Sequence, residues 1–371
     1  MKIVFVADNV DSEKSGGVVT TRRFIDYFQK TENLTVVSTG KSAPKKVVFP
    51  SFYLPFAKKQ MQEMDFLFAW PNKKILRETF KDADLIHIQF PFFLGYQSLK
   101  IARELKKPVV FGFHVQPENL MWNIGLDFDW LNAFLYRFFI RTFYNKADLV
   151  LSPSEFGKQM LEKFAIQAPV EVVSNGLPEQ FQPQNCTKDP RFKDKFVILM
   201  VGRLAKEKRH TLVMQAIKNS KFKDNIQLFV TGQGAMRDEL VELGNTLPNP
   251  AIFEYVSQET LIELFNTADL FIHASDIELE GLAVLEAIGC GLPALISDAE
   301  HSASAQFVLN DKFLFSAEKE NDLNQKIDYW IENKEELHAS KALYLAKAQH
   351  YRFDACIQQA RDLYQNVIDN H

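Results

Sequence analysis

Short apolar runs, each closed by a polar or glycine-containing loop and followed by a longer amphipathic stretch, recur along the whole chain. Residues 3–7 form such a run, ending at Asp8 and leading through a polar loop to Gly16-Gly17, after which 18–29 reads as a helix. Residues 34–38, 108–113 and 170–173 repeat the apolar pattern in the first half; 196–201, 227–230, 270–273 and 294–296 repeat it in the second. Runs of four to six β-branched and aromatic residues between helical segments predict buried strands of parallel α/β sheets. An Ala-Asp-Leu joint precedes a strand at 83–85, 147–149 and 268–270, so both halves follow one design. Residues 178–195, polar and spotted with proline, read as a linker, and 322–336 and 338–369 as polar helix-forming segments.

Composition narrows the class. Hydrophobic content of 46% and charged content of 24% are those of a soluble globular protein. Cys186, Cys290 and Cys356 lack paired spacing, which fits a reducing compartment and argues against a zinc site. The first ten residues read as a strand rather than a signal peptide, and no run approaches the ~18 apolar residues of a membrane span. The expected location is therefore the cytoplasm or the cytosolic face of a membrane. Residues 1–180 carry 23 Lys/Arg against 19 Asp/Glu, and 181–371 carry 20 against 28, so the molecule is polarised. Residues 52–81 interleave Phe, Tyr and Trp with Lys and Arg; 119–144 are crowded with aromatics and place Arg137 and Arg141 at helical spacing. Both stretches fit either interfacial membrane contact or ordinary amphipathic helices packed on a sheet.

The densest chemistry lies in 269–297. An acidic loop, Asp276-Ile277-Glu278-Leu279-Glu280-Gly281, precedes an apolar helical segment, 282–288, that carries Glu286. A carboxylate among Val284, Leu285, Ala287 and Ile288 is costly unless a partner or ligand compensates it. Glu278 stands where the loop meets a helix N-terminus with free N–H groups. A polyhydroxylated ligand suits this pair; an acidic first turn and a satisfied buried Glu would produce the same pattern. Gly202-Arg203-Leu204 and Lys208 follow another strand, where two cations suit a diphosphate or simply bridge surface carboxylates. His114 closes the strand 108–113 at the edge where open α/β sheets bind ligands, although a lone histidine also serves as packing. Gly232-Gln233-Gly234 lacks the third glycine of a dinucleotide site, since Arg237 stands there, and the Gly40-Lys41-Ser42 imitation of a P-loop has Thr35 at the required earlier glycine.

Glu278-x7-Glu286, followed by Ala287, Gly291 and Pro293, resembles the E-x7-E signature of the retaining GT-B glycosyltransferases of family 4. Gly16-Gly17, His114, Asn175-Gly176, Gly202-Arg203 with Lys208, and Gly232/Gly234 follow in that family's order. Two departures are visible. Leu279-Glu280-Gly281 replaces the usual Gly-Phe-Gly after the first Glu, and Leu177-Pro178-Glu179 follows Asn175-Gly176. The resemblance implies two Rossmann-like, doubly wound domains facing across a cleft. Residues 1–177 would form the acceptor side, with a last helix near 352–371 packing back on it, and 178–351 would bind the nucleotide sugar.

The implied reaction is retaining transfer of a hexose, glucose from UDP-glucose, to an acceptor. In that scheme Arg203 and Lys208 steady the departing diphosphate and Glu286 holds the ribose. Glu278, His114 and the backbone around Gly281 and Leu282 orient the sugar. Gly16, Gly17, Asn175, Gly202, Gly232 and Gly234 are further nucleotide-sugar contacts. No metal and no cofactor beyond the donor are implied; the D-x-D imitations at Asp82/Asp84 and Asp127/Asp129 enter a strand and lie among aromatics, respectively. The basic-aromatic stretches, and similarity to bacterial diacylglycerol glucosyltransferases in 278–280 and 302–315, point to a membrane lipid acceptor and peripheral contact with an anionic membrane, with no role for nucleic acid. Glycosylation of a surface polysaccharide or a protein is the rival. From other classes stand a GT-B-shaped sugar-nucleotide epimerase and a non-catalytic partner subunit.

Overall fold

The computed structural model describes residues 1–11, 16–54, 58–63, 67–122, 125–126, 128–319 and 321–371. Asp127 and parts of the basic-aromatic stretch (55–57 and 64–66) therefore lie outside the described residues. The chain divides into two compact units, Met1–Asn175 with Ala355–His371, and Gly176–Asp354.

The first unit is built on β1 (Lys2–Val6), β2 (Asn33–Ser38), β3 (Lys46–Val48), a two-residue antiparallel pair β4 (Ser51–Phe52) and β5 (Phe68–Ala69), β6 (Leu85–Ile88), β7 (Val109–Gly112), β8 (Leu149–Ser152) and β9 (Val170–Val172). Seven of these form one parallel sheet in the order β3-β2-β1-β6-β7-β8-β9. The second unit contains β10 (Phe196–Val201), β11 (Ile226–Thr231), β12 (Ile252–Phe253), β13 (Leu270–His273), β14 (Ile277–Glu278), β15 (Ala294–Ser297), β16 (His301–Ser302) and β17 (Leu314–Phe315). Six of them form a parallel sheet in the order β12-β11-β10-β13-β15-β17. In both units the first strand lies between the second and the fourth strand of its parallel sheet. The connections leave it in opposite directions, and a crevice opens at its carboxyl end. Central strands such as Leu85–Ile88 and Ala294–Ser297 are buried throughout, which is why they read as unbroken apolar runs.

The repeated Ala-Asp-Leu joint has a physical explanation. Each aspartate opens a strand and accepts a backbone N–H at the start of the neighbouring strand: Asp84 from Lys2 at 2.7 Å, Asp148 from Val109 at 2.7 Å, and Asp269 from Val197 at 2.7 Å. Asp148 is also gripped by Arg103 and Asp269 by Lys188. The carboxylate satisfies a sheet-edge donor that the ladder leaves over. Asp84, half of one D-x-D imitation, is thus occupied in holding β1 against β6.

The polar C-terminal stretch forms three helices, Asp322–Glu332, Lys334–Gln349 and Phe353–Asp369, rather than the two segments its sequence suggests. The first break falls at Asn333, whose side-chain amide donates to Tyr329 O at 2.8 Å; neither glycine nor proline marks it. The last helix completes the first unit. Cys356, Ile357, Ala360 and Tyr364 are buried, Tyr364 stacks on Phe28, and Arg361 pairs with the buried Glu32 at 2.7 Å.

At the carboxyl end of β1, Asp8 is fully buried and accepts the Ala69 N–H at 3.1 Å. Burial pushes its carboxyl up to about 7, against the smaller opposing effect of that hydrogen bond. Such a group favours the fold while protonated and costs stability as the pH rises from about 4 to about 7. Asp8→Asn, which keeps the accepting oxygen, is expected to raise Tm at pH 8 by the equivalent of about 1–3 kcal/mol and to be nearly neutral at pH 4. Equal Tm differences at the two pH values would rule out this account.

Candidate active site

In the second unit the switch point lies between β10 and β13, and the loops leaving these two strands carry the charges. After β10 the chain turns through Gly202 to Lys206–Lys208 and into the helix His210–Asn219, with Arg209 left-handed at the junction. The Lys208 stem lies over Gly202, where a Cβ would sit 3.7 Å from Lys208 Cε. After β13 the chain runs through Ser275 and Asp276 into β14. The short β14 pairs with β16, Glu278 opposite Ser302, which fixes the backbone that carries Glu278.

Lys208 Nζ forms an ion pair with Glu278 and lies 3.2 Å from Ser275 Oγ. His273 Nε2 stands 3.3 Å from Glu278 Oε1. Burial alone would raise the Glu278 carboxyl, but Lys208 and the His273 ring overcome it and hold it well below the usual carboxylate range. The adjacent His210 is buried and pushed down to about 3, by burial first and by Lys208 second, so it is neutral. Two further pairs brace the loops. Arg203 donates to the buried Glu207 at 2.6 Å, and Arg209 grips Asp276 with both contacts under 3 Å, while Asp276 N donates to Glu207 O. The result is one ionised carboxylate and one ammonium at a sheet switch point, partly desolvated, where a charge on a ligand is felt strongly.

Gly232 and Gly234 turn out to serve close backbone packing. A Cβ on Gly232 would come within 1.8 Å of Gly202 O, and one on Gly234 within 2.3 Å of Leu204 O. Leu204 N donates to Gln233 O, so the loops after β10 and β11 are dovetailed. Gly281 has φ +95°, and a Cβ there would meet Ser304 Oγ at 2.4 Å, so this position requires glycine. It starts the helix Leu282–Gly289, whose first residue, Leu282, is half-buried. Glu286 lies on that helix's half-exposed face rather than in its buried stripe, which corrects the expectation of a carboxylate enclosed by apolar neighbours. Its charge helps raise the Cys290 thiol, second to burial.

The remaining candidates gather in the first unit. Gly17, in the first turn of the helix Gly16–Thr31, faces Phe90 and His114 Cβ. His114 and Asn175 line one cavity with Thr20, His87, Gln89 and Leu151. Burial pushes the His114 ring down to about 4, so it is neutral near pH 7. Gly176 belongs to the second unit, where φ +80° and contact with Phe353 explain the glycine.

Sequence reasoning missed His273, Ser275 and Glu207 beside Lys208, and Thr20, His87 and Gln89 beside His114. His273 carries the same signal as His114, a histidine closing an apolar strand.

The first unit also exposes several large aromatic side chains. On the helix Asp129–Thr142, Trp130, Phe134 and Phe138 recur every fourth residue and are 70%, 57% and 46% exposed. Phe138 meets Phe143, which meets Tyr96; Trp70 meets Phe93 on the same helix as Tyr96, and Phe52 beyond it. Ring contacts thus link the two basic-aromatic stretches through the buried Phe143. Arg137 and Arg141 are exposed on the same helix.

Residues 15–181 match the model of Glycosyltransferase Family 4 and residues 182–342 that of Glycosyl transferases group 1. The chain is 29% identical to the alpha-monoglucosyldiacylglycerol synthase of Streptococcus pneumoniae over 57% of its own length and 51% of the relative's. It is 26% identical to the sulfoquinovosyl transferase of Arabidopsis thaliana over 80% of its length and 59% of the relative's. The matches therefore span between half and three-fifths of these curated proteins. Among solved structures, Anabaena HepE in complex with UDP aligns over 99% of this chain and 100% of its own, with a TM-score of 0.77 at 18% identity, a likeness of fold. With two family models joined end to end across two parallel sheets of seven and six strands, the chain belongs to the retaining GT-B glycosyltransferases of family 4.

Proposed function

We propose that this protein transfers glucose from UDP-glucose, with retention of configuration and without a metal, to a membrane lipid such as diacylglycerol. The observation that carries the reaction is the Lys208–Glu278 pair at the switch point of the second unit. On binding, the donor's diphosphate takes Lys208, and Arg203 adds a second cation. Glu278, kept ionised, accepts hydrogen bonds from sugar hydroxyls. Glu286, on the half-exposed helix face, would hold the ribose. The bond from the anomeric carbon to the diphosphate oxygen breaks as the acceptor hydroxyl bonds to that carbon on the same face. The acceptor's proton passes to a departing phosphate oxygen, so no side-chain nucleophile is needed. Lys208 and Arg203 offset the charge that develops on the leaving group.

The lipid acceptor is supported by the exposed row of Trp130, Phe134 and Phe138 with Arg137 and Arg141 on the same helix, which suits an anionic bilayer. The relative from Streptococcus pneumoniae carries a diacylglycerol product in its name, which favours the same acceptor class. No described helix is long and apolar enough to cross a membrane, so this reading has the enzyme resting on the surface.

The test is release of UDP from UDP-glucose with and without vesicles containing diacylglycerol. Lipid-dependent release with a glycolipid product supports the proposal; slow hydrolysis indifferent to lipid removes the acceptor and leaves sugar or protein acceptors. Glu286→Ala is expected to weaken UDP binding by about tenfold, one hydrogen-bonded contact to a charged group, measured by calorimetry. Unchanged affinity would remove Glu286 from the nucleotide site.

A further inference from the structure

We infer that Asp276 and Arg209 are positioning residues for Lys208: their ion pair ties the loop after β13 to the loop after β10 and so aims the lysine ammonium at Glu278. The inference rests on the proposed action of Lys208 at the leaving diphosphate for its consequence, and on the second unit alone for its geometry.

Asp276 holds both sequence neighbours of Lys208. Its backbone N–H donates to Glu207 O at 2.8 Å, and its two carboxylate oxygens accept from Arg209 Nε at 2.9 and 2.8 Å. Between these ties Lys208 crosses to the same loop, meeting Ser275 Oγ at 3.2 Å and Glu278. The Ser275 hydroxyl donates in turn to Ile277 O at 3.2 Å, so it presents a lone pair to the ammonium. Three consecutive residues of one loop thus engage the other, with Lys208 in the middle.

The backbone shows why the outer ties matter. Arg209 is left-handed, with φ +50° and ψ +38°, a conformation that a residue bearing a Cβ keeps only where its surroundings hold it. It opens the helix His210–Asn219 without any side-chain capping hydrogen bond. Glycine would take this turn freely, so the arginine is explained by its guanidinium and not by its backbone. Released from Asp276, the turn is free to relax toward the right-handed region. That would rotate the short segment Lys206–Lys208, which precedes it directly, away from Glu278.

The electrostatics support a clamp over an ordinary surface pair. The Asp276 side chain is 13% exposed and that of Arg209 35%. Burial raises the Asp276 carboxyl, Arg209 works against that rise, and the nearby Glu207 carboxylate adds to it. A partly desolvated carboxylate beside a second one depends on its cation more than a solvated one does.

The experiment is a double-mutant cycle read in UDP release from UDP-glucose with diacylglycerol vesicles present. Asp276→Ala and Arg209→Ala should each lower kcat about tenfold with little change in KM, less than Lys208→Ala because the ammonium is displaced and not removed. Asp276→Asn, which keeps an oxygen for Arg209, should lose less. In the Lys208→Ala background Asp276→Ala should cost nothing further, since there is no ammonium left to aim. Full additivity with Lys208→Ala would make the loss a general distortion and overturn the inference. Arg209→Gly suits the left-handed turn but lacks the guanidinium, and should lose kcat as Arg209→Ala does. Wild-type kcat in Arg209→Gly beside a loss in Arg209→Ala would assign the effect to the turn alone and overturn the clamp. Wild-type kcat in both alanine variants, with Lys208→Ala impaired, would also overturn it. Wild-type kcat in Lys208→Ala means instead that the proposed role of Lys208 fails, and the inference with it.

Discussion

Lys208→Ala is expected to reduce turnover of UDP-glucose by about a hundredfold or more, with a smaller effect on UDP-glucose affinity. The side chain is half-buried, its stem lies along Gly202, and its ammonium faces Glu278 and Ser275. Negative charge grows on the leaving diphosphate only as the glycosidic bond breaks, so a fixed cation there acts on kcat more than on KM. The substitution has a second effect. Glu278 is ionised because Lys208 and His273 outweigh its burial; without Lys208 the burial penalty prevails and the carboxyl climbs. The variant's residual activity should then fall as the pH is lowered into the range where Glu278 takes up a proton, whereas the wild type keeps Glu278 ionised there. Single-turnover kinetics across pH would read both effects. A variant with unchanged kcat would remove Lys208 from the reaction.

Replacing Trp130, Phe134 and Phe138 together by serine is expected to lower partitioning onto anionic vesicles about a hundredfold, taking ~1 kcal/mol for each partly inserted ring. These rings point into solvent, so Tm should barely change, and UDP-glucose binding should not change at all. Lipid-dependent turnover would fall in parallel with binding and recover at high vesicle concentration. Adding Arg137→Ala and Arg141→Ala should remove most of the salt dependence of what binding remains, since each charge near an anionic surface contributes about 1 kcal/mol. Co-sedimentation with vesicles at two salt concentrations measures all of this. Full retention of binding by the triple variant would move the membrane contact elsewhere or abolish it.

The strands that the sequence made legible were those buried on both faces, because four consecutive apolar residues leave few alternatives. The Ala-Asp-Leu joint was legible as a repeat, but its reason, an aspartate holding an N–H at the start of the neighbouring strand, appears only once the strands are paired. Two-residue strands such as Ile277–Glu278 and His301–Ser302 are too short for any periodicity to reveal. In the candidate site, Lys208 and Glu278 were named from motif and order. Their direct pairing across 70 residues was not, because spacing along a chain says nothing of which loops share a sheet edge. Glu286 misled for a related reason: four apolar neighbours in sequence suggested burial, but a helix turns each residue by about 100°, and this one faces outward. His87 escaped notice because a histidine inside an apolar strand looks like filler until its two nitrogens are seen to be engaged.

The helix Phe353–Asp369 gives the first unit a dependence on events at the far end of the chain. Its sheet leaves the ribosome early, yet Glu32 and His87 acquire Arg361 and Tyr364 only after the whole second unit has been made. Until then Glu32 has the N-terminal ammonium of Met1 and His87 has Gln89, but neither has its second partner, and the face that receives Ile357 and Ala360 stays wet. Nascent chains halted anywhere before residue 355 should therefore present a first unit that is protease-sensitive. Its protection would arrive in a single late step, when residues 355–371 become free to dock.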